Sequence, residues 1–293
     1  MNTTLTEEKQ EAVRNTVREG YKKIAQETSA GCAGAGVSCC GSTPQEADKL
    51  ARQLGYTMKE LGALPEGANM GLSCGNPAAL AALKEGETVV DLGSGGGFDV
   101  FIAGKKVGAK GCAIGVDMTP EMLAKARKNI THYQRETGLS NVEFRLGEIE
   151  HLPLADNSVD AIISNCVINL SPDKWQVWRE IARTLKVGGR VAVSDISLLK
   201  PLPQEILKMV EAMIGCVSGA VLTSETERMA REAGLADIVL TPKPGYVEAL
   251  SDWEDPLYKK IIEYLPAGTK PADYITSLEV QARKPDEVCC GCD

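Results

Sequence analysis

The most constraining feature of this chain is Asp91-Leu92-Gly93-Ser94-Gly95-Gly96-Gly97, placed directly behind an apolar run, Thr88–Leu92. Glycines there allow a tight turn whose backbone can approach a ligand with no side chains in the way. Beyond the turn, helix and strand patterns alternate. A helix is predicted to about residue 107, then a strand over 112–116. Thr119-Pro120-Glu121 reads as a helix start, with the helix running to about residue 137. Strands are predicted over 142–146 and 161–164, a helix over 172–185 ended by Gly188-Gly189, and a strand over 190–195. Continuous apolar strands separated by helices predict an α/β fold, a parallel sheet covered on both faces.

This pattern divides the chain into four segments. Residues 1–74 hold N-terminal helices and a small-residue loop over 29–42 that contains cysteines. The first helix spans 5–27, with Val13, Val17, Tyr21 and Ile24 on one face. Residues 75–200 form the nucleotide-binding core, and 201–285 a substrate-side region. In that region helices are expected over 203–214 and 224–233. Strands near 238–241 and 275–282 are expected to complete the same sheet. Residues 286–293 form a cysteine-rich tail, expected to be mobile.

Composition removes several classes. A net charge of −8 is a poor surface for phosphate backbones, so no nucleic-acid partner is expected. No apolar run reaches the roughly 18 residues of a membrane helix, so no membrane association is expected. The start has neither a basic end nor an apolar stretch, which reads as no secretory signal and a cytoplasmic location. Ten cysteines are then expected to be reduced thiols. Cys289-Cys290-Gly291-Cys292 lacks a second half at zinc-finger spacing, and His132 and His151 have no partner at zinc spacing, so no metal cofactor is expected. Cys112 reads as a small core residue, and His151 as a surface or loop histidine rather than a catalytic base.

The glycine run does not fit the dinucleotide pattern, because the last glycine position falls on Phe98 or Val100. Asp91-x-Gly93-x-Gly95-x-Gly97 instead resembles the first motif of class I S-adenosylmethionine-dependent methyltransferases. Gly115-Val116-Asp117-Met118 resembles their second motif. Gly147-Glu148-Ile149-Glu150 sits where that family touches adenine, and Leu185-Lys186-Val187-Gly188-Gly189-Arg190 resembles their late glycine pair. The resemblance implies a Rossmann-like sheet and S-adenosylmethionine as co-substrate. The implied cofactor residues are Asp91, Gly93, Ser94, Gly95, Asp117, Met118, Glu148, Ile149 and Asn165. Asp117 is well placed to accept hydrogen bonds from a ribose diol.

The acceptor is read from cysteines. Cys166 follows the fourth strand, Cys216 ends a helix of the C-terminal region, and Cys74 lies just ahead of the core. If that region folds over the strand ends, the three thiols converge, and sulfur ligands select soft, thiophilic centres. The segments Cys74-Gly75-Asn76-Pro77, Ser164-Asn165-Cys166-Val167-Ile168-Asn169-Leu170 and Gly215-Cys216-Val217-Ser218-Gly219-Ala220 resemble those of arsenite methyltransferases. That resemblance implies methyl transfer to trivalent arsenic, as arsenite or methylarsenite, in arsenic detoxification. It implies arsenic held by Cys166 and Cys216, with Cys74 or Cys40 completing or delivering. It also implies a Cys40–Cys74 disulfide that returns arsenic to the trivalent state, and a thiol reductant, glutathione or a thioredoxin. The N-terminal functional thiol is Cys39 or Cys40, with Cys40 preferred.

Overall fold

The computed structural model describes residues 6–27, 44–62, 64–209, 217–247 and 256–286. Cys32, Cys39, Cys40, Cys216 and the tail cysteines lie outside the described residues, as do the loop 29–42 and residues 287–293.

The described helices up to the fifth strand are α1 (Glu7–Glu27), α2 (Pro44–Gln53), α3 (Met58–Leu61), α4 (Pro77–Leu80), α5 (Phe98–Val107), α6 (Pro120–Thr137) and α7 (Lys174–Thr184). The strands are β1 (Thr88–Leu92), β2 (Cys112–Asp117), β3 (Val142–Leu146), β4 (Val159–Asn165), β5 (Leu185–Leu198), β6 (Ala236–Lys243) and β7 (Ile275–Arg283). They form one seven-stranded sheet in the order β3-β2-β1-β4-β5-β7-β6. The first five strands are parallel, whereas β7 is antiparallel to both β5 and β6.

Both faces of the sheet are apolar because adjacent strand residues point to opposite sides. Val90 and Leu92 pack with Ile162, Trp178 and Ile181 on one face. Val89 packs with Phe101, Tyr133 and Ile163 on the other. This explains why the strands read as unbroken apolar runs. A third cluster caps the carboxyl ends of the central strands and joins Val17 of α1, Cys74, Leu170, Val217 and Ile275. It brings N-terminal and C-terminal segments together at the edge where ligands of such sheets bind.

Several expectations shift. Thr119 stands at the N-cap of α6 but makes no side-chain cap bond; its backbone N–H donates to Asp117 Oδ1 at 2.7 Å. The helix predicted over 172–185 spans Lys174–Thr184, but it is not the glycine pair that ends it, because β5 begins at once at Leu185. The glycines fall inside the strand span, Gly188 at φ 75°, where the pairing with β4 shifts register. Of the helix predicted over 203–214, one turn is described, Gln204–Leu207, and 210–216 lie outside the described residues. Cys112 is half-buried at the start of β2, packed against the core rather than within it. The two strands expected to complete the sheet are β6 and β7, joined through the intervening segment.

Candidate active site

The strand order reverses direction at β1, which pairs with β2 on one side and β4 on the other. At such a switch point the loops diverge and leave a crevice. Here the crevice is walled by the glycine turn. The N–H groups of Gly93 and Ser94 donate to Val116 O at 2.8 and 3.0 Å, and that of Gly95 to Asp117 Oδ2 at 2.9 Å. Gly93 has φ 68°, and a Cβ there would lie 2.2 Å from a Val167 methyl, so no other residue fits without a shift.

Of the cofactor residues that the resemblance implies, Asp91, Gly93, Ser94, Gly95, Asp117, Met118, Ile149 and Asn165 line this cleft. Glu148 does not. Its carboxylate faces α1, with Arg14 Nε at 3.3 Å and Arg18 Nη2 at 3.5 Å. Sequence reasoning missed the other half of the wall: Arg14, Val17 and Tyr21 of α1, together with Phe98 and Asp99 at the start of α5. Asp99 carried a readable signal, since it is the one acid in the helix Phe98–Val107, whose other residues are apolar, glycine or lysine. Nothing in the α1 pattern says which neighbour its apolar face meets.

The cleft is rich in buried carboxylates. Burial pushes Asp91 well above the usual carboxylate range, and the neighbouring Asp99 and Asp117 push the same way. Burial raises Asp99 to about 6 against the hydrogen bonds of Asn165 and Tyr56, which pull it down. Burial also raises Asp117, opposed by the Thr119 and Gly95 N–H groups. Ser94 Oγ is buried without a hydrogen-bond partner among the described residues. Three buried acids, an unpartnered hydroxyl and a side-chain-free turn fit a ligand carrying cationic and hydroxyl groups. The sulfonium, ammonium and ribose of S-adenosylmethionine are such groups.

Beside the cleft, Cys74 and Cys166 are joined as a disulfide, their Cα atoms 6.0 Å apart. The pairing carried over from the resemblance, Cys40 with Cys74, differs: Cys74 is bonded to Cys166 here, and Cys40 lies outside the described residues. Cys166 occupies the left-handed region at φ 56°, directly after β4, and donates its N–H to Ser194 O at 2.8 Å. Cys74 is fixed on several sides. Its N–H donates to Asn165 Oδ1 at 2.9 Å, its carbonyl accepts from Ser277 Oγ at 2.7 Å, and its sulfur lies 3.4 Å from Ser194 O. Asp195 completes a group of three with the two sulfurs, the ligand atoms all within 4.8 Å of one another. Burial raises Asp195 to about 7, although the Ile196 and Asn169 N–H groups and the Lys174 charge pull it down. Sequence reasoning missed Asp195, which ends an apolar strand run and could have been found by that position. His151 is exposed, as expected of a loop histidine.

A family profile described as a methyltransferase domain matches residues 83–234. An arsenite methyltransferase of Halobacterium salinarum is 41% identical over 281 residues, covering 94% of this chain and 67% of that protein. The chain belongs to the arsenite methyltransferase family. The enzymes of this family are S-adenosylmethionine-dependent, and the seven-stranded sheet is the class I methyltransferase fold. An arsenite methyltransferase of Aquipseudomonas alcaligenes is 46% identical over 160 residues, 53% of this chain but less than half, 46%, of the relative. Among solved structures, an arsenic(III) S-adenosylmethionine methyltransferase from Chlamydomonas reinhardtii superposes with a TM-score of 0.58. It shares 30% identity and covers 84% of this chain and 75% of that one. Among the described residues no helix is long and apolar enough to cross a membrane.

Proposed function

We propose that this chain methylates trivalent arsenic, arsenite and then methylarsenite, held by cysteine thiolates at the mouth of the β1–β4 crevice. The observation that carries the reading is the placement of Cys74 and Cys166 against each other beside a cleft that fits S-adenosylmethionine. Reduction of that disulfide frees two thiolates on a rigid frame. Cys216 is the third ligand in this reading. Its described neighbour in sequence, Val217, packs in the same apolar cluster as Cys74. Cys40 is the delivering or reducing thiol, with Cys39 the alternative.

S-adenosylmethionine supplies an electrophilic methyl group on a sulfonium. The protein's part is positioning. Asp91, Asp99 and Asp117 offer negative charge to the cationic ligand, Gly93 and Gly95 let backbone approach it, and Ser94 offers a hydroxyl. Arsenic in a thiolate set keeps a lone pair that can take the methyl group, so no proton has to leave and no general base is required. Catalysis is then mostly orientation of two bound partners. The lone pair forms the new As–C bond, the C–S bond electrons return to sulfur, and arsenic becomes pentavalent. Two thiolates returning two electrons as a disulfide restore trivalent arsenic, and glutathione or a thioredoxin reduces that disulfide. A cytoplasmic location suits this need for reduced thiols.

The test is incubation of purified protein with arsenite, S-adenosylmethionine and glutathione, followed by arsenic speciation. Methylated arsenic from the native protein, lost in both Cys74→Ser and Cys166→Ser, is expected. Product formation that survives both substitutions overturns the thiolate site.

A further inference from the structure

Asn165 lines the cleft, yet its amide is already occupied inside the protein. Oδ1 accepts the Cys74 N–H at 2.9 Å. The two Nδ2 hydrogens face three acceptors: Asp99 Oδ2 at 3.0 Å, Gly75 O at 3.1 Å and the Tyr56 hydroxyl at 3.2 Å. The Tyr56 hydroxyl in turn donates to Asp99 Oδ1 at 2.7 Å. Both Tyr56 and Asp99 are buried, so neither can turn to water for a substitute partner. One residue later the chain is Cys166, held in the left-handed region.

An amide with no spare donor is poorly placed to serve mainly as a cofactor ligand. We propose that Asn165 is a positioning residue that ties the cofactor cleft to the thiol pair, so that binding at either one favours the other. Its amide group is rigid and planar. One end fixes the backbone of Cys74, the other end reads Asp99, and its own main chain sets Cys166. A cationic ligand drawn to Asp99 changes the hold of that carboxylate on Nδ2, and the amide passes the change to the Cys74 turn. Gly75 leaves that turn little freedom, because a Cβ there would sit 2.3 Å from Ser194 Oγ. The amide is therefore one of the anchors of Cys74, beside Ser277 and Ser194, and the one that also reaches the cofactor cleft.

This inference rests on the thiolate reading above. It predicts reciprocal linkage, since any coupling between two ligands acts equally in both directions. The experiment is calorimetric titration of the reduced protein with sinefungin, a non-methylating analogue in which an amine-bearing carbon replaces the methylsulfonium, with and without saturating arsenite, in the native protein and in Asn165→Ala. In the native protein, arsenite is expected to tighten binding of this analogue by roughly 5-fold or more, the lower end of typical coupling. In Asn165→Ala that ratio is expected to fall to about 1, whatever happens to the individual affinities. A merely structural role would shift affinities and leave the ratio intact. If Asn165→Ala does not fold, Tyr56→Phe, which removes one of the amide's partners, is expected to lower the ratio two- to three-fold. A native ratio near 1, or a native-like ratio in a folded Asn165→Ala or, in its place, Tyr56→Phe, overturns the proposal. A native protein that binds S-adenosylmethionine but no arsenite instead removes the thiolate reading, and this inference with it.

Discussion

Replacing Asp195 by Asn is expected to stabilise the protein increasingly as pH rises. The buried Asp195 carboxyl holds its proton to about pH 7, against an ordinary 3.8. Between those values the folded state binds more protons than the unfolded one, so stability falls with rising pH and the full penalty is reached above about pH 7. For one such group the penalty is about 2 kcal/mol at pH 5 and about 4 kcal/mol at pH 8. Asn keeps the shape and the acceptor for the Ile196 N–H. With that oxygen at the Oδ1 position it also keeps the Asn169 Nδ2–H at 2.9 Å, and it places its amide N–H₂ against the Asn169 backbone N–H, which donates to Oδ2 at 3.2 Å. That clash adds a cost that does not vary with pH. The difference in unfolding free energy between variant and native protein should therefore grow by roughly 2–3 kcal/mol from pH 5 to pH 8. Urea denaturation of both proteins in their Cys74–Cys166 disulfide form measures it with those two sulfurs unable to titrate. Carboxylates elsewhere, such as Glu87 and Asp160, whose pKa values are lowered by Arg190 and Lys186, cancel in the comparison. A difference flat within about 0.5 kcal/mol, or moving the other way, refutes the argument that burial governs this group.

Two other outcomes rest on geometry. Gly219→Ala would place a Cβ 2.1 Å from the Asn169 carbonyl oxygen, a backbone atom that no rotamer change relieves. A loss of about 1–3 kcal/mol in urea denaturation is expected, with weaker arsenite binding because Gly219 seats the segment beside Asn169. Asp117→Ala frees the N–H groups of Gly95 and Thr119, bonded at 2.9 and 2.7 Å. A roughly tenfold weaker S-adenosylmethionine affinity by calorimetry is expected, since hydrogen bonds to a charged group contribute about 1.5–3 kcal/mol.

Much of this was legible in the sequence, and the reasons are local. Thr88–Leu92 is apolar and β-branched, ends in glycines, and matches its strand residue for residue. Ile149 and Met118 line the cleft because short motifs place both just past the ends of strands, Met118 after β2 and Ile149 after β3. The misses are of another kind. Glu148 and Ile149 are adjacent, and the sequence offered no means of telling that one faces the cleft while the other meets Arg14 and Arg18. Tyr56 reaches Asp99 across 43 residues, a contact that no periodicity encodes. The helix over 172–185 is legible to within two residues, but its stop signal is not the glycine pair that usually supplies one. Here Leu185 already has extended backbone, with ψ 135°, and is fully buried where β5 begins.

The Ser277 hydroxyl on the Cys74 carbonyl spans 203 residues of chain. Strand β7, which carries Ser277, is also the strand that binds β5 to β6. During synthesis the halves of the thiol pair emerge long before the strand that clamps one of them. The two cysteines can meet on a finished frame only after the last strand has been laid antiparallel along β5. Assembly of the reactive centre is thus a late event in folding, and slow, because such distant contacts must wait for closure of a long loop. A nascent chain that stops short of Ile275 carries its cysteines without a completed frame, and its sulfur chemistry stays unorganised until the protein is whole.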